Sequence, residues 1–354
     1  MAGGGGRRHH PWTLPTMTSR DRIAILRALR DAGGITGSAE IARQIQGWGV
    51  DLGPRAVRLC LEELEHAGLV APGRRGRGGG RKLTARGMLA LQDAPVLDRI
   101  GLTAARMDSL AYRMTFSPRD PTPGLIVLNM TLIEEADFHA AVQEMVPVFE
   151  AGLGMGELVG LFRPNESAGL FQIPAGRIGL GTLCSITLNG ALLNERIPVI
   201  SRFAGILELH HGEPVRFTDI IHYDGTSLDP LEIFIRSGLT RVRDAARTGN
   251  GRIGASFREV PTCALGEVER LLPRLKAVGV GGVLLLGKPN QPLLGFPVQE
   301  GRTGLIVAGG LNPCAVLHEA GLAAEHTAMA QLFEYRILRH YRELAIEAGV
   351  ATSM

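Results

Sequence analysis

The stretch 176–190 carries the residues whose types and spacing could do chemistry. It reads as an apolar strand in which glycines and small polar side chains stand where bulky core residues are usual. Glycine lets a ligand or another backbone approach closely, and each glycine gives up apolar surface that could be buried. The stretch therefore packs poorly, and we interpret it as one wall of a small-molecule pocket. Its polar candidates for contacts are Arg177, Thr182, Cys184, Ser185, Thr187 and Asn189.

Alternation along a strand puts Ser185, Thr187 and Asn189 on one face and Cys184 on the other. Cys184 and Ser185 would both face a ligand only if a glycine bulge intervened. A free cysteine is also a common small buried hydrophobe, which is the alternative role for Cys184. A short helix is predicted to follow around 191–195.

A second polar group raises the question of a metal. Its members are His210, His211, Asp219, His222, Asp224 and Asp229. Their spacing matches no standard ligand pattern, so we expect no metal and no cofactor. The sequence His-Tyr-Asp-Gly-Thr at 222–226 predicts a turn with Asp224 at its tip. Ligand or dimer contacts are the alternative, which makes His222, Asp224 and Thr226 further candidates.

Enzyme signatures are missing from the sequence. It contains no nucleophile elbow, phosphate loop, dinucleotide fingerprint or zinc-protease helix. The acidic pairs Glu134 with Glu135 and Asp219 with Asp224 are better explained as solvated surface residues. We therefore expect a binding protein. An enzyme of small-metabolite chemistry fused to a DNA-binding domain is the alternative, and turnover of a substrate would distinguish the two.

The elements around the candidate pocket are predicted to be an internal duplication. Phe-Gln-Ile-Pro-Ala-Gly-Arg-Ile-Gly-Leu at 171–180 matches Phe-Pro-Val-Gln-Glu-Gly-Arg-Thr-Gly-Leu at 296–305, and Arg-Pro-Asn at 163–165 matches Lys-Pro-Asn at 288–290. We predict two strand-helix-strand-strand-strand-helix units. The predicted parts are repeat one at 124–196, an insert at 197–248, repeat two at 251–321 and a C-terminal helix at 328–348.

The two copies differ where the first is most polar. Thr187 and Asn189 align with Asn312 and Cys314 in the second copy. A pocket between the copies should therefore be asymmetric, with 176–190 supplying the ligand contacts and 301–315 supplying packing.

The amino-terminal part of the chain is basic. Residues 1–106 hold 17 Lys/Arg against 9 Asp/Glu, whereas the remainder holds 21 against 26. Helical spacing predicts helices from Ser19, from Ser38 and from Pro54, and a basic glycine-rich hairpin follows at 69–84. Three helices and such a hairpin are the layout of a winged helix-turn-helix, in which the third helix enters the major groove and the wing contacts phosphates.

We expect this part to bind DNA. An ordinary three-helix bundle followed by a solvated basic loop is the alternative. The predicted DNA contacts are Arg55, Arg58, Arg74, Arg75, Arg77, Arg81 and Lys82. The predicted division of the chain is a disordered extension at 1–18, a DNA-binding domain at 19–93, a linker at 94–106 and a regulatory domain at 107–348. Met17 is an alternative start to Met1.

The composition indicates the cellular environment of the protein. The four cysteines lie far apart without a Cys-x-x-Cys pair, which argues against a disulfide framework. No apolar run is long enough to span a bilayer, and no signal peptide is apparent. We therefore expect a reduced, cytoplasmic protein. The predicted fold class is α+β, with an N-terminal winged helix-turn-helix followed by a mixed α/β regulatory domain that contains the internal duplication.

Two long motifs and the amino-terminal winged helix resemble the NrpR transcriptional repressors of nitrogen-assimilation genes. The motifs are Gly-Leu-Gly-Thr-Leu-Cys-Ser-Ile-Thr-Leu-Asn-Gly at 179–190 and Arg-Phe-Thr-Asp-Ile-Ile-His-Tyr-Asp-Gly-Thr-Ser-Leu-Asp-Pro-Leu-Glu at 216–232. The resemblance implies a homodimeric repressor that binds operator DNA and whose regulatory domain senses 2-oxoglutarate. Some relatives carry two regulatory domains, whereas this chain has room for one. A different metabolite is the alternative effector.

Overall fold

The computed structural model describes residues 18–73, 80–93, 101–168 and 171–352. Within them the chain forms two compact units. The smaller unit comprises the described residues 18–30, 35–73 and 80–93, and the larger comprises residues 31–34 and the described residues from 101 onward.

Helices and one hairpin make up the smaller unit. Its elements are α1 (Ser19–Ala32, whose last two residues belong to the larger unit), α2 (Ser38–Gln46), α3 (Pro54–His66), β1 (Val70–Pro72), β2 (Arg81–Leu83) and α4 (Ala85–Asp93). The strands β1 and β2 pair antiparallel. This is the winged-helix layout that the sequence predicts.

Local sequence explains where these helices begin and end. Pro54 opens α3, where its missing N–H has no intrahelical partner to lose. Gly68 follows α3 with a φ of +71°, a conformation that glycine adopts without a steric penalty. The hydroxyl of Thr84 accepts a hydrogen bond from the N–H of Gly87 at 3.0 Å and so caps the start of α4.

The larger unit begins with α5 (Leu102–Arg113) and continues into the first repeat. The first repeat comprises β3 (Leu125–Glu134), a 3-10 turn (Glu135–Asp137), α6 (Phe138–Glu150), β4 (Leu158–Phe162), the short strands β5 (Ser167–Ala168) and β6 (Phe171–Gln172), β7 (Arg177–Leu183), α7 (Ile186–Asn194) and β8 (Ile200–His210). Three elements then join the repeats: β9 (Glu213–His222), α8 (Pro230–Arg236) and α9 (Val242–Thr248).

The second repeat follows the same order. It comprises β10 (Gly251–Pro261), a 3-10 turn (Thr262–Ala264), α10 (Leu265–Ala277), β11 (Val283–Leu286), β12 (Arg302–Ala308), α11 (Asn312–Glu319) and β13 (Ala324–Glu334). A 3-10 turn (Tyr335–Ile337), β14 (Arg339–His340) and α12 (Tyr341–Ala348) complete the described chain.

The two repeats have the same strand register. In the first, residues 128–134 of β3 pair antiparallel with residues 183–177 of β7. In the second, residues 255–261 of β10 pair with residues 308–302 of β12 in the same way. Both β7 and β12 follow a glycine with positive φ, Gly176 at +74° and Gly301 at +75°. The shared register supports the predicted duplication and fixes which residues are equivalent.

The repeats exchange their last strands. β13 ends the second repeat but pairs with β3 of the first, while β8 ends the first repeat but pairs with β10 of the second. The two antiparallel sheets therefore run β13-β3-β7-β4-β14 and β11-β12-β10-β8-β9. Since neither repeat completes its sheet alone, the two copies form one folding unit.

Three sequence-based assignments are wrong. The strand predicted over 176–190 ends at Leu183, and α7 begins at Ile186, five residues before the predicted helix at 191–195. The face alternation drawn for Ser185, Thr187 and Asn189 fails with it. The reason is burial: residues 186–192 of α7 are all buried, so the helix carries no polar face to reveal its period.

The predicted C-terminal helix at 328–348 is the second error. Most of β13 and the separate helix α12 occupy this segment. The third error follows from it, because the predicted repeats stop before their final strands. β8 lies in the predicted insert and β13 in the predicted helix, yet each closes its repeat in the exchanged sheet.

Candidate functional site

The smaller unit exposes the cations expected at a nucleic-acid interface. Arg55 and Arg58 are exposed and three residues apart on α3, so they share one face of the helix. Lys82 is exposed on β2, while the Arg81 guanidinium lies 2.7 Å from the Glu65 carboxylate. The predicted contacts Arg74, Arg75 and Arg77 lie outside the described residues.

In the larger unit, the connection from β7 to α7 lines a small cavity of about 10 Å³, which is room for about one water-sized probe. Side chains from both repeats and from the segment between them surround it. The lining residues are Met107, Asn129, Cys184, Ser185, Ile186, Tyr223, Asp229, Leu231, Gly310, Ala328 and Met329.

Two chain connections meet at this cavity. Cys184 and Ser185 join β7 to α7, and Gly310 lies in the equivalent connection from β12 to α11. A Cβ on Gly310 would overlap the carbonyl oxygen of Leu183 and lie 2.7 Å from the side-chain nitrogen of Asn129. Glycine is therefore required at position 310 because the two connections touch through their backbones.

Beside the cavity lies a fully buried arginine. Arg258 of β10 is 0 % exposed, and its Nη1 donates to the carbonyl oxygen of Ser185 at 2.7 Å and to the Asn189 side-chain oxygen. Its Nε donates to the Ser256 hydroxyl at 3.2 Å. Burial lowers the pKa of this guanidinium, yet arginine keeps its proton in proteins. A permanent positive charge therefore lies inside the larger unit.

No acidic partner of this charge is present in the part of the chain that the structure describes. Within the described ranges Arg258 forms no ion pair, and its Nη2 is buried without a hydrogen-bond acceptor. Buried charges are normally paired, because desolvation of an isolated ion is costly. The neighbouring residue Glu259 does not serve, since its carboxylate accepts from the Arg202 guanidinium at 2.5 Å. The arrangement is suited to accept a negatively charged group.

Burial raises the pKa of three titratable groups around the cavity. Burial raises the pKa of the Cys184 thiol to about 11, so the sulfur is protonated at neutral pH and is not a reactive thiolate. Burial likewise raises the pKa of Tyr223. Burial, and next the nearby charge of Glu232, raise the pKa of Asp229 to about 7. The Asp229 carboxylate also accepts from the N–H groups of Leu231 and Glu232.

The structure brings together some of the residues singled out from the sequence. Cys184 and Ser185 line the cavity, and Asn189 lies one helical turn away, against Arg258. Thr182 and Thr187 are buried beside it in structural roles. The Thr182 hydroxyl lies 3.4 Å from the side-chain nitrogen of Asn129, and the Thr187 hydroxyl donates to the carbonyl oxygen of Val127 at 3.1 Å.

Other candidates lie apart from this group. Arg177 is at the opposite end of β7 from Cys184 and forms ion pairs with Glu134 and Glu325, each at 3.2 Å. His222 and Asp224 are exposed. Thr226 is buried, and its hydroxyl bonds to the backbone of Leu228, just after the predicted turn.

Sequence reasoning missed Arg258, and it named Asp229 only as a metal candidate. A signal for Arg258 was present: Arg258 and Glu259 are adjacent charges inside the apolar stretch 253–260. Charged residues are rarely fully buried unless they are paired or functional.

A much larger cavity of about 700 Å³ lies elsewhere in the larger unit. Glycine-rich connections from both repeats line it, at 150–157 and 279–284. Its charged lining residues are Glu150, Glu157, Glu269 and Lys276. Three carboxylates against one ammonium make this cavity unfavourable for an anion despite its size.

The described residues contain no group of His, Cys, Asp and Glu side chains that could hold a metal ion. They also contain no helix with the length and apolarity needed to cross a membrane.

Comparison with known proteins relates both units to described families. Residues 100–340 match the model of the NrpR regulatory domains NRD1 and 2, and residues 23–91 match the ribonuclease R winged-helix domain. The chain is 32% identical over 320 residues to the global nitrogen regulator NrpRI of Methanosarcina mazei, which covers 90% of this chain and 97% of that protein. It is 29% identical to the global nitrogen regulator NrpR of Methanococcus maripaludis over 89% of this chain and 54% of that longer protein.

A solved structure is similar as well. The crystal structure of a nitrogen repressor-like protein from Methanococcus jannaschii superposes with a TM-score of 0.57 and 28% sequence identity. The match covers 67% of this chain and 97% of that one.

Proposed function

The chain belongs to the NrpR family of nitrogen regulators, and from that premise we propose that it represses nitrogen-assimilation genes as a homodimer on operator DNA and that 2-oxoglutarate weakens this binding. It is a transcriptional regulator with a winged-helix domain. The operator contacts, the dimer and the effector are the parts that we propose.

The exposed cations of the smaller unit support the DNA-binding part. Arg55 and Arg58 stand on the helix that enters the major groove in winged-helix proteins, and Lys82 stands on the wing. A homodimer would place two such helices on two half-sites about one helical turn or a multiple apart. Footprinting of one short site by a monomer would contradict the dimer.

The buried charge of Arg258 carries the effector part. A carboxylate is the natural partner of a guanidinium, because the two form charge-assisted hydrogen bonds. Nη2 of Arg258 has no acceptor among the described residues, and Ser185, whose carbonyl oxygen accepts from Nη1, lines the cavity. One carboxylate of 2-oxoglutarate would supply the missing negative charge.

The size of the cavity adds a condition. A volume of about 10 Å³ is far smaller than the several hundred Å³ typical of small-molecule pockets. A ligand the size of 2-oxoglutarate therefore enters only if the lining residues move apart. Binding at this place is necessarily coupled to a conformational change.

Calorimetry and operator binding test the proposal together. We expect 2-oxoglutarate at millimolar concentration to release or absorb heat on binding and to lower operator affinity. Glutarate and pyruvate are the controls, since the first lacks the keto oxygen and the second lacks one carboxylate. If 2-oxoglutarate neither binds nor shifts operator affinity, the effector assignment is wrong.

The dependence of DNA affinity on salt concentration tests whether the wing contacts DNA. Replacing Arg74, Arg75 and Arg77 together by alanine should lower affinity for all sequences. The same change should flatten the dependence of log affinity on log salt, by about 0.9 in slope for each phosphate that the wing no longer neutralises. Replacing exposed Arg113 of α5 is the matched control for the removal of a surface charge. A salt slope unchanged by the triple substitution would remove the wing from the interface.

A further inference from the structure

The strand β13 has an irregular stretch where it passes the cavity. Thr327 pairs with Met130 and Gln331 pairs with Leu128, so three residues, 328–330, oppose Asn129 alone. At the centre of this bulge Met329 has a φ of +50°, which is a strained conformation for a residue with a Cβ. Such strain persists only where surrounding contacts hold it.

The bulge is one wall of the cavity. Ala328 and Met329 both line it, opposite Cys184. The N–H of Met329 donates to the Asn129 side-chain oxygen at 3.0 Å. A ligand that enlarges the cavity on this side displaces the bulge.

The other side of the bulge is held by Arg106. This residue of α5 is buried, and its Nη2 donates to the carbonyl oxygens of Met329 at 2.6 Å and Ala330 at 2.9 Å. Its neighbour Met107 lines the cavity. One guanidinium thus fixes two consecutive carbonyl groups of the strained bulge.

Arg106 has a second anchor. Its Nη1 is ion-paired with Asp31, within the larger unit, and both side chains are almost completely buried. Asp31 is the residue at which the chain of α1 passes from the smaller unit into residues 31–34 of the larger one. The same guanidinium therefore holds the cavity wall and the segment continuous with the DNA-binding unit.

We propose that Arg106 is the positioning residue that couples effector binding to DNA binding, by tying the Met329 bulge to Asp31. Displacement of the bulge by the effector moves the carbonyl groups that Arg106 holds, and the pull on Asp31 changes the position of α1. This inference rests on the proposed function, because it takes the cavity at Cys184 as the effector site.

The first experiment compares Arg106→Lys with the wild type, using 2-oxoglutarate and operator DNA. Lysine keeps the positive charge beside Asp31 but lacks the planar fork that binds several acceptors at once. We expect effector affinity without DNA, and DNA affinity without effector, to stay within about threefold of the wild type. The ratio of DNA affinities without and with effector, roughly 5- to 150-fold in coupled systems, should fall toward one.

The design separates coupling from damage to the fold. A purely structural role of Arg106 would lower the effector affinity, the DNA affinity or both. It would leave the ratio of DNA affinities without and with effector unchanged. Arg113→Lys on the exposed face of α5 is the matched control and should keep the full ratio. By reciprocity, DNA should also lose its effect on effector affinity in Arg106→Lys.

A second measurement needs no variant. Hydrogen exchange of the wild type with and without 2-oxoglutarate should show faster exchange at 328–331 on binding. Residues 204–207 of β8, the exchanged strand of the other sheet, serve as the internal reference.

The outcomes distinguish the two proposals. A wild type whose DNA affinity ignores 2-oxoglutarate would overturn the effector assignment and this inference with it. A wild type that responds, together with an equal response in Arg106→Lys or unchanged exchange at 328–331, would overturn the inference alone.

Discussion

The two repeats of the larger unit share a backbone and differ in charge. Their register makes Thr131 of β3 equivalent to Arg258 of β10 and Asn129 equivalent to Ser256. Arg258 reaches across to the start of α7 in the other repeat. The Thr131 hydroxyl instead bonds to the His326 ring at 3.0 Å.

The residues around Arg258 and Thr131 also differ between the two repeats. Asn189, which accepts from Arg258, corresponds to Cys314, a fully buried thiol whose pKa burial raises to about 11. Burial lowers the pKa of His326 to about 4, so this ring is neutral at physiological pH. The place around Arg258 therefore holds a buried positive charge, whereas the buried residues at the equivalent place around Thr131 are uncharged.

The comparison teaches how the two copies of a duplicated fold can differ in charge. Duplication supplies two equivalent places, and both keep the hydrogen bonds that fix the helix start. Thr187 bonds to the carbonyl oxygen of Val127, and Asn312 bonds to the backbone of Gly254 at the corresponding position. Because a charge is present at only one of these two places, we expect one effector per chain.

The largest effect is expected from removing the charge. Arg258→Met should weaken 2-oxoglutarate binding roughly 10- to 100-fold, since a charge-assisted hydrogen bond is worth about 1.5–3 kcal/mol. Thr131→Val at the equivalent position should cost about 1 kcal/mol of stability and leave effector affinity unchanged. Calorimetry gives both affinities and the binding stoichiometry. Equal losses of effector affinity in the two variants, or a stoichiometry of two effectors per chain, would contradict the expected difference between the two places.

A smaller effect is expected from the buried cysteines. Cys184 lines the cavity, whereas Cys314 is packed in the neutral copy, and both are nearly inaccessible. Each Cys→Ala substitution should lower the free energy of unfolding by about 1–2 kcal/mol, because a small buried group is removed. Only Cys184→Ala should also lower effector affinity, by several-fold. Denaturant unfolding measures the stability of both variants, and calorimetry measures their effector affinity. An equal loss of effector affinity in Cys314→Ala would contradict this prediction.

Much of the fold was predictable because it depends on local signals. Proline at position 54 and glycine at position 68 mark the ends of α3, and the repeated Gly-Arg-x-Gly at 176–179 and 301–304 marks the duplication. The exchange of β8 and β13 was not predictable, since pairing between distant strands leaves no periodic trace. The helix α7 was missed because its residues 186–192 are buried on every side.

The candidate site was predictable only in part for a related reason. Cys184 and Ser185 stand out as polar residues in an apolar stretch, and the structure places both at the cavity. Arg177 stands out equally but is engaged with surface carboxylates. In the sequence Arg258 is marked only as a charge inside the apolar stretch 253–260. Only three-dimensional contacts distinguish Arg106 from other arginines.

The smallest expected effect concerns Asp229, which lies in the segment between the repeats. Burial, then Glu232, raise its pKa to about 7, so it is protonated below that pH and ionised above it. An ionised Asp229 repels a dianion, and effector affinity should fall roughly two- to fivefold as pH rises from 6 to 8. The folded state retains a proton that the unfolded state releases near pH 4, so stability also falls as pH rises from about 4 to 7. Asp229→Asn should flatten both pH profiles while Thr131→Val leaves them intact, and a wild-type affinity independent of pH would show that the effector does not bind beside Asp229.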